Sequence, residues 1–181
     1  MQLATIQRRV TTSTGQDPGR ELLQARLALF GRMIGVLALI YLVFINLFHP
    51  APRTLDTYLS RANFIVLCVA ATGTIVWLLT RSAPRDQRPL RVVDATGTIM
   101  VCVLAALYGW MSDYTEGSGY AGLLATTNVL AFRAAVVPST GRRTLQIGIA
   151  GAVPAVLLAL TQFVLPNMIG GEGVHIGYVL A

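Results

Sequence analysis

Lysine is absent from this chain of 181 residues; all fourteen basic side chains are arginine. That excludes a Walker A lysine, a kinase phosphate-anchoring lysine and a Schiff-base lysine within these residues. Charge of either sign is scarce, at 12% of residues, where a soluble domain carries roughly 25%. Too little polar surface remains to cover a globule in water. Cysteine and histidine number two each, Cys68, Cys102, His49 and His175, and no CxxC or HxxxH spacing joins them. Neither a metal site nor a cofactor is therefore expected. His49 and His175 are the only candidates for a pigment ligand. The cysteines fall in apolar stretches, where small buried packing is their expected role. Gly117-Ser118-Gly119 lacks the G-x-S-x-G pattern of a nucleophile elbow.

What the chain has is apolar residues, 54% of the total, with a mean hydropathy of +0.62. They come in blocks of about twenty, the length that crosses the hydrocarbon core of a bilayer. The blocks predict an all-α, polytopic transmembrane bundle with spans over 27–48, 63–80, 90–110, 120–137 and 143–165. A partial sixth begins at Val174, too short by Ala181 to cross, and is expected either to continue or to end as a re-entrant segment. Residues 1–20 are polar, lack the apolar stretch of a signal peptide and are expected to form a disordered tail. Asp17-Pro18 has the chemistry of a helix start, with Pro18 at the first helical position. His49-Pro50-Ala51-Pro52 stops the first helix, and Pro154 predicts a kink in the fifth. The pentapeptide Ala-Thr-Gly-Thr-Ile occurs at 71–75 and at 95–99; small residues of this kind suit close helix approach.

The arginines are distributed unevenly. Twelve fall on one side of the expected topology: Arg8, Arg9, Arg20, Arg26 and Arg32, then Arg81, Arg85, Arg88 and Arg91, then Arg133, Arg142 and Arg143. Only Arg53 and Arg61 fall on the other, together with Asp56, Asp113, Glu116 and Glu172. The positive-inside rule places the amino terminus in the cytoplasm. Topology also accounts for the arginines without nucleic acid, which is not an expected partner; the bilayer and other transmembrane helices are. Arg81, Arg85, Arg88, Arg91, Arg142 and Arg143 are expected to anchor the spans at the headgroups, and Tyr41, Tyr58, Trp110, Tyr114 and Tyr120 to form or approach an aromatic belt at the far interface.

Three ionisable residues lie inside spans, at comparable depth: Arg32, Asp94 and Arg133. Two readings are open. Asp94 pairs with Arg32 or Arg133 and ties the bundle together, or both arginines snorkel to the headgroups and Asp94 caps the third helix. The fourth span carries Thr126, Thr127 and Asn128, so it is expected to face other helices through these polar side chains.

The segment Asn128-Val129-Leu130-Ala131-Phe132-Arg133-Ala134-Ala135-Val136-Val137-Pro138-Ser139-Thr140-Gly141-Arg142-Arg143-Thr144-Leu145 resembles the membrane region that accompanies the catalytic domain in a group of bacterial Ser/Thr protein kinases. Arg26-Leu27-Ala28-Leu29-Phe30-Gly31-Arg32 and the stretch from Leu90 to Asp94 resemble the same region. The resemblance implies a bacterial inner-membrane location and six helices followed by a cytoplasmic kinase domain in a longer parent protein. This chain itself has no HRD, no DFG and no lysine, so no kinase residue carries over and the chain is expected not to be an enzyme. The expected function is a non-catalytic membrane anchor or sensor module. The alternative, of a different class, is an accessory structural subunit of a photosynthetic reaction-centre, light-harvesting or respiratory assembly. A transporter would need broken helices around a midplane site, and only Pro154 points that way.

Overall fold

Pro18 opens the first helix, where its missing N–H costs nothing because the first turn has no intrahelical acceptor for it. The computed structural model describes residues 18–48, 60–81, 86–111, 118–137 and 139–163. Five helices make up this part: α1 Pro18–Phe48, α2 Arg61–Arg81, α3 Gln87–Met111, α4 Ser118–Val136 and α5 Gly141–Phe163. No strand occurs among the described residues. Residues 18–20, expected in the tail, are already helical; the remainder of the tail, His49-Pro50-Ala51-Pro52 and the stretch from Val174 lie outside the described residues.

Local chemistry sets the helix starts. Ser60 caps α2, its hydroxyl accepting from the Asn63 N–H at 3.3 Å, and Thr140 does the same for Arg143 at the start of α5, at 3.4 Å. The Asp86 carbonyl takes the first backbone bond of α3, from Leu90 at 3.4 Å. Asp94 therefore stands two turns inside α3 and caps nothing. α5 runs unbroken through Pro154, although a proline there cannot donate to the carbonyl four residues back.

Successive helices alternate in direction. At the arginine-rich end, Gln24 Nε2 of α1 donates to the Thr80 carbonyl of α2 at 2.8 Å. At the opposite end, the Asn46 and Asn63 side chains bond each other across the same pair, at 3.1 Å and 3.5 Å, and the Tyr41 and Tyr108 hydroxyls meet at 2.7 Å. α3 occupies the middle, packed on α2, α4 and α5, while α1 lies chiefly on α2.

The outward faces are apolar. Ile40, Phe44, Phe64, Leu124, Leu145 and Leu157 are all more than half exposed, an arrangement that water disfavours and lipid accepts. α1, α2, α3 and α5 are long and apolar enough to cross a membrane, which makes this a multi-pass membrane protein. α1, at 31 residues, would extend about 47 Å, well beyond a core of roughly 30 Å. Among the described residues four helices meet that test of length and composition where five full spans were expected, and α4 enters as a shorter apolar helix, Ala121–Val136.

Close packing comes from glycine. A Cβ on Gly73 would stand 2.6 Å from the Gly35 nitrogen and 2.8 Å from the Gly31 carbonyl oxygen, so the α1 and α2 backbones touch. Val76, one turn on, is the knob of a three-helix junction: its two methyls lie 2.9 Å and 2.6 Å from where Gly31 and Gly97 would carry a Cβ. Gly73 and Gly97 are the central glycines of the repeated pentapeptide, and both stand at helix crossings. At the arginine-rich half of the bundle, Leu27, Phe30, Ile34, Val76, Leu90, Val101 and Val137 form the main apolar core, with Phe30 stacked on Phe132 at 5.8 Å between ring centres.

Candidate functional site

A carboxylate two turns inside a membrane helix must find donors within the bundle, because lipid supplies none. Asp94 finds them on two helices. Arg133 of α4 donates from Nε to Oδ1 at 3.0 Å and from Nη2 to Oδ2 at 2.7 Å, the bidentate fork that suits a guanidinium to a carboxylate. Arg143 of α5 adds a third bond, Nη2 to Oδ2 at 3.2 Å, and donates to the Arg91 carbonyl at 2.6 Å. The Asp94 and Arg133 side chains are each 1% exposed, and that of Arg143 is 24% exposed. One aspartate thus joins α3, α4 and α5 at the arginine-rich end.

The sequence positions each member. On α3, Leu90, Asp94, Thr98, Val101, Cys102 and Ala105 are buried, the three-and-four spacing of a single helix face. Leu90 therefore carries Asp94 into the bundle with it. On α4, Gly122, Thr126 and Arg133 share the inward face. α4 approaches α3 closely because a Cβ on Gly122 would lie within 3.4 Å of Ala105, Ala106 and Gly109. Arg143 reaches the cluster because Thr140 starts α5 only three residues before it. The turn ahead of α5 is further held by a 2.5 Å bond between the Ser139 and Thr144 hydroxyls.

Not every expected site residue joins this cluster. Arg32 is exposed on α1 and does not pair with Asp94, since its position turns away from the Phe30 and Ile34 face. Of the polar trio on α4 only Thr126 faces inward; Thr127 and Asn128 are exposed, because neighbouring helical residues point about 100° apart. Thr127 satisfies its hydroxyl on the Leu123 carbonyl at 2.8 Å, whereas the buried Thr126 and Thr98 hydroxyl oxygens have no protein partner. Among the expected headgroup anchors, Arg88, Arg91 and Arg142 are exposed. Arg81 lies over the Trp77 ring at 4.5 Å, and Arg143 turns inward to Asp94. His49, His175 and Arg85 lie outside the described residues. Cys102 is buried and Cys68 half-buried, both as free thiols, and no group of three or more His, Cys, Asp or Glu among the described residues could hold a metal ion.

Sequence reasoning missed the third partner, Arg143, and the glycine contact between α1 and α2. Gly31 and Gly35 carry the small-xxx-small spacing that marks such a contact. Arg143 had no comparable signal, since a residue at a helix start usually faces the headgroups.

Comparison of the chain with protein-family models, with curated proteins and with solved structures finds no match. The likeness to kinase membrane regions therefore rests on the residues quoted for it alone.

Proposed function

We propose that this chain is a non-catalytic membrane anchor and sensor module whose α3, α4 and α5 move as one block toward a cytoplasmic partner domain. The observation that carries this reading is the three-helix joint at Asp94. A carboxylate already accepting three guanidinium hydrogen bonds serves to couple helices mechanically. α4, packed against α3 and α5, completes a fifth crossing. The excess of arginine at one end sets that end in the cytoplasm. A stimulus acting in the bilayer would then be transmitted by shift or rotation of helices, in the manner that the likeness to bacterial Ser/Thr kinase membrane regions implies.

The gene downstream of the Ala181 codon tests it. An in-frame kinase domain supports the reading, and a stop codon directly after Ala181 would overturn it. A second reading, an accessory subunit of a larger membrane complex, draws on the shallow apolar groove along α1 between Leu39 and Leu47, a surface suited to a partner helix. Co-purification of a pigment-binding or quinone-binding assembly with this chain, and loss of that assembly on its deletion, would favour it over the first.

A further inference from the structure

At the arginine-rich end, some guanidiniums have their charge answered within the protein and others do not. Arg20 lies 3.9 Å from Asp86, Arg81 covers Trp77, and Arg133 is sealed against Asp94. Arg88, Arg91 and Arg142 stand exposed on the opening turns of α3 and α5, and among the described residues no carboxylate pairs with them. Arg91 donates only to a neutral acceptor, Gln87 Oε1, at 3.0 Å. Arg143 bridges the two turns, one nitrogen serving both the Arg91 carbonyl and Asp94.

The seam between α3 and α5 thus brings Arg133, Arg143 and the Arg91 backbone together at Asp94, with Arg142 next to Arg143 and Arg88 one turn before Arg91 in the chain, while the other carboxylate at the start of α3, Asp86, lies 3.9 Å from Arg20. Two helix starts, at Gln87 and Gly141, add the positive ends of their dipoles to the same place. Such an excess needs an anion. A guanidinium matches a phosphate by the same paired N–H geometry that it uses on a carboxylate. The seam lies where the apolar faces of α3 and α5 end, at headgroup depth, so the phosphate within reach is that of a lipid.

We propose that the seam between the first turns of α3 and α5 binds the phosphate of an anionic lipid through Arg91, Arg142 and the outward part of Arg143. The site rests on the reading of α3 and α5 as membrane spans. Arg143 is shared: a lipid phosphate competes with Asp94 for its guanidinium and loosens α5 while leaving the Arg133 fork intact. Anionic lipid content would then set how firmly α5 is docked.

The test uses the full chain in mixed detergent micelles carrying phosphatidylglycerol or phosphatidylcholine, with retained lipid counted by native mass spectrometry. Phosphatidylglycerol is expected to be kept over phosphatidylcholine. Each arginine near an anionic surface is worth roughly fivefold in binding, so Arg91→Gln with Arg142→Gln should lower that retention by about twenty-five-fold. The charge-matched pair Arg26→Gln with Arg32→Gln lies on the exposed part of α1, away from the seam, and should lower that retention clearly less than the seam pair does. An equal fall for both pairs, or no preference between the lipids, would overturn the proposal. So would displacement of phosphatidylglycerol by millimolar inorganic phosphate, which would make the ligand a soluble anion. Release of the wild-type chain from membranes by alkaline carbonate would instead overturn the membrane reading itself.

Discussion

Asp94 and Arg133 illustrate how a buried ion pair differs from either of its members. Each was legible as an ionisable residue inside an apolar span, and their similar depth made a pair conceivable. Sequence alone left the choice of partner open, because which face of α1 or α4 meets α3 depends on helix rotation. The inward rotation of α4 is set by Gly122 and Thr126, and that of α1 by Gly31 and Gly35. Removing one partner strands the other in a medium without donors. Asp94→Leu or Arg133→Met should each cost about 3 kcal/mol of unfolding free energy, the lower end for a broken buried pair, since a guanidinium near the interface regains some hydration by snorkelling. The double variant Asp94→Leu with Arg133→Met removes both charges and should cost less than either single change. Reversible unfolding in micelles checks this, and a double variant that costs the sum of the singles would show that no coupling exists.

Among the elements, packing quality follows from where glycine meets backbone. Gly73 faces backbone atoms of α1, which cannot yield as a side chain does, so Gly73→Ala must force the helices apart at a cost of about 1–3 kcal/mol. Gly148 in α5 has nothing within 4 Å of an added Cβ. Gly148→Ala should be neutral or stabilise the helix by up to about 1 kcal/mol, since alanine loses less backbone entropy there. Thermal unfolding of the two variants side by side reads the difference; equal melting temperatures would contradict the contact. Helix existence and order were plain in the sequence because hydrophobic blocks of membrane length have few alternatives. α4 was the exception. Its three polar residues were expected to face other helices, yet Thr127 and Asn128 are exposed and only Thr126 turns inward, and the contact depends instead on Gly122.

Across the whole molecule, direction of insertion is read out by labelling at the two ends of the bundle. With Cys68 and Cys102 replaced by alanine, a cysteine at exposed Arg88 and one at exposed Arg61 should label from opposite faces of sealed cells. Arg61→Cys should react with an impermeant maleimide added outside, and Arg88→Cys only after permeabilisation. The reverse pattern would invert the orientation read from the arginines. The expected orientation rests on charge counts between helices, which a sequence carries, whereas side-to-side helix order depends on packing that no count records.

The backbone contact of Gly31 and Gly35 with Gly73 has one more implication, for assembly. α1 and α2 hold each other by their own glycines, by Gln24 on Thr80 and by the paired asparagines, while α3, α4 and α5 are joined through Asp94. The molecule is thus a hairpin and a triplet that meet along α2 and α3, where Val76 fits against Gly97, and through the Phe30–Phe132 stack and the Tyr41–Tyr108 bond. A chain severed between Arg81 and Asp86 should still insert as two fragments and recover each other in the plane of the bilayer, much as separately made helices find their partners after insertion.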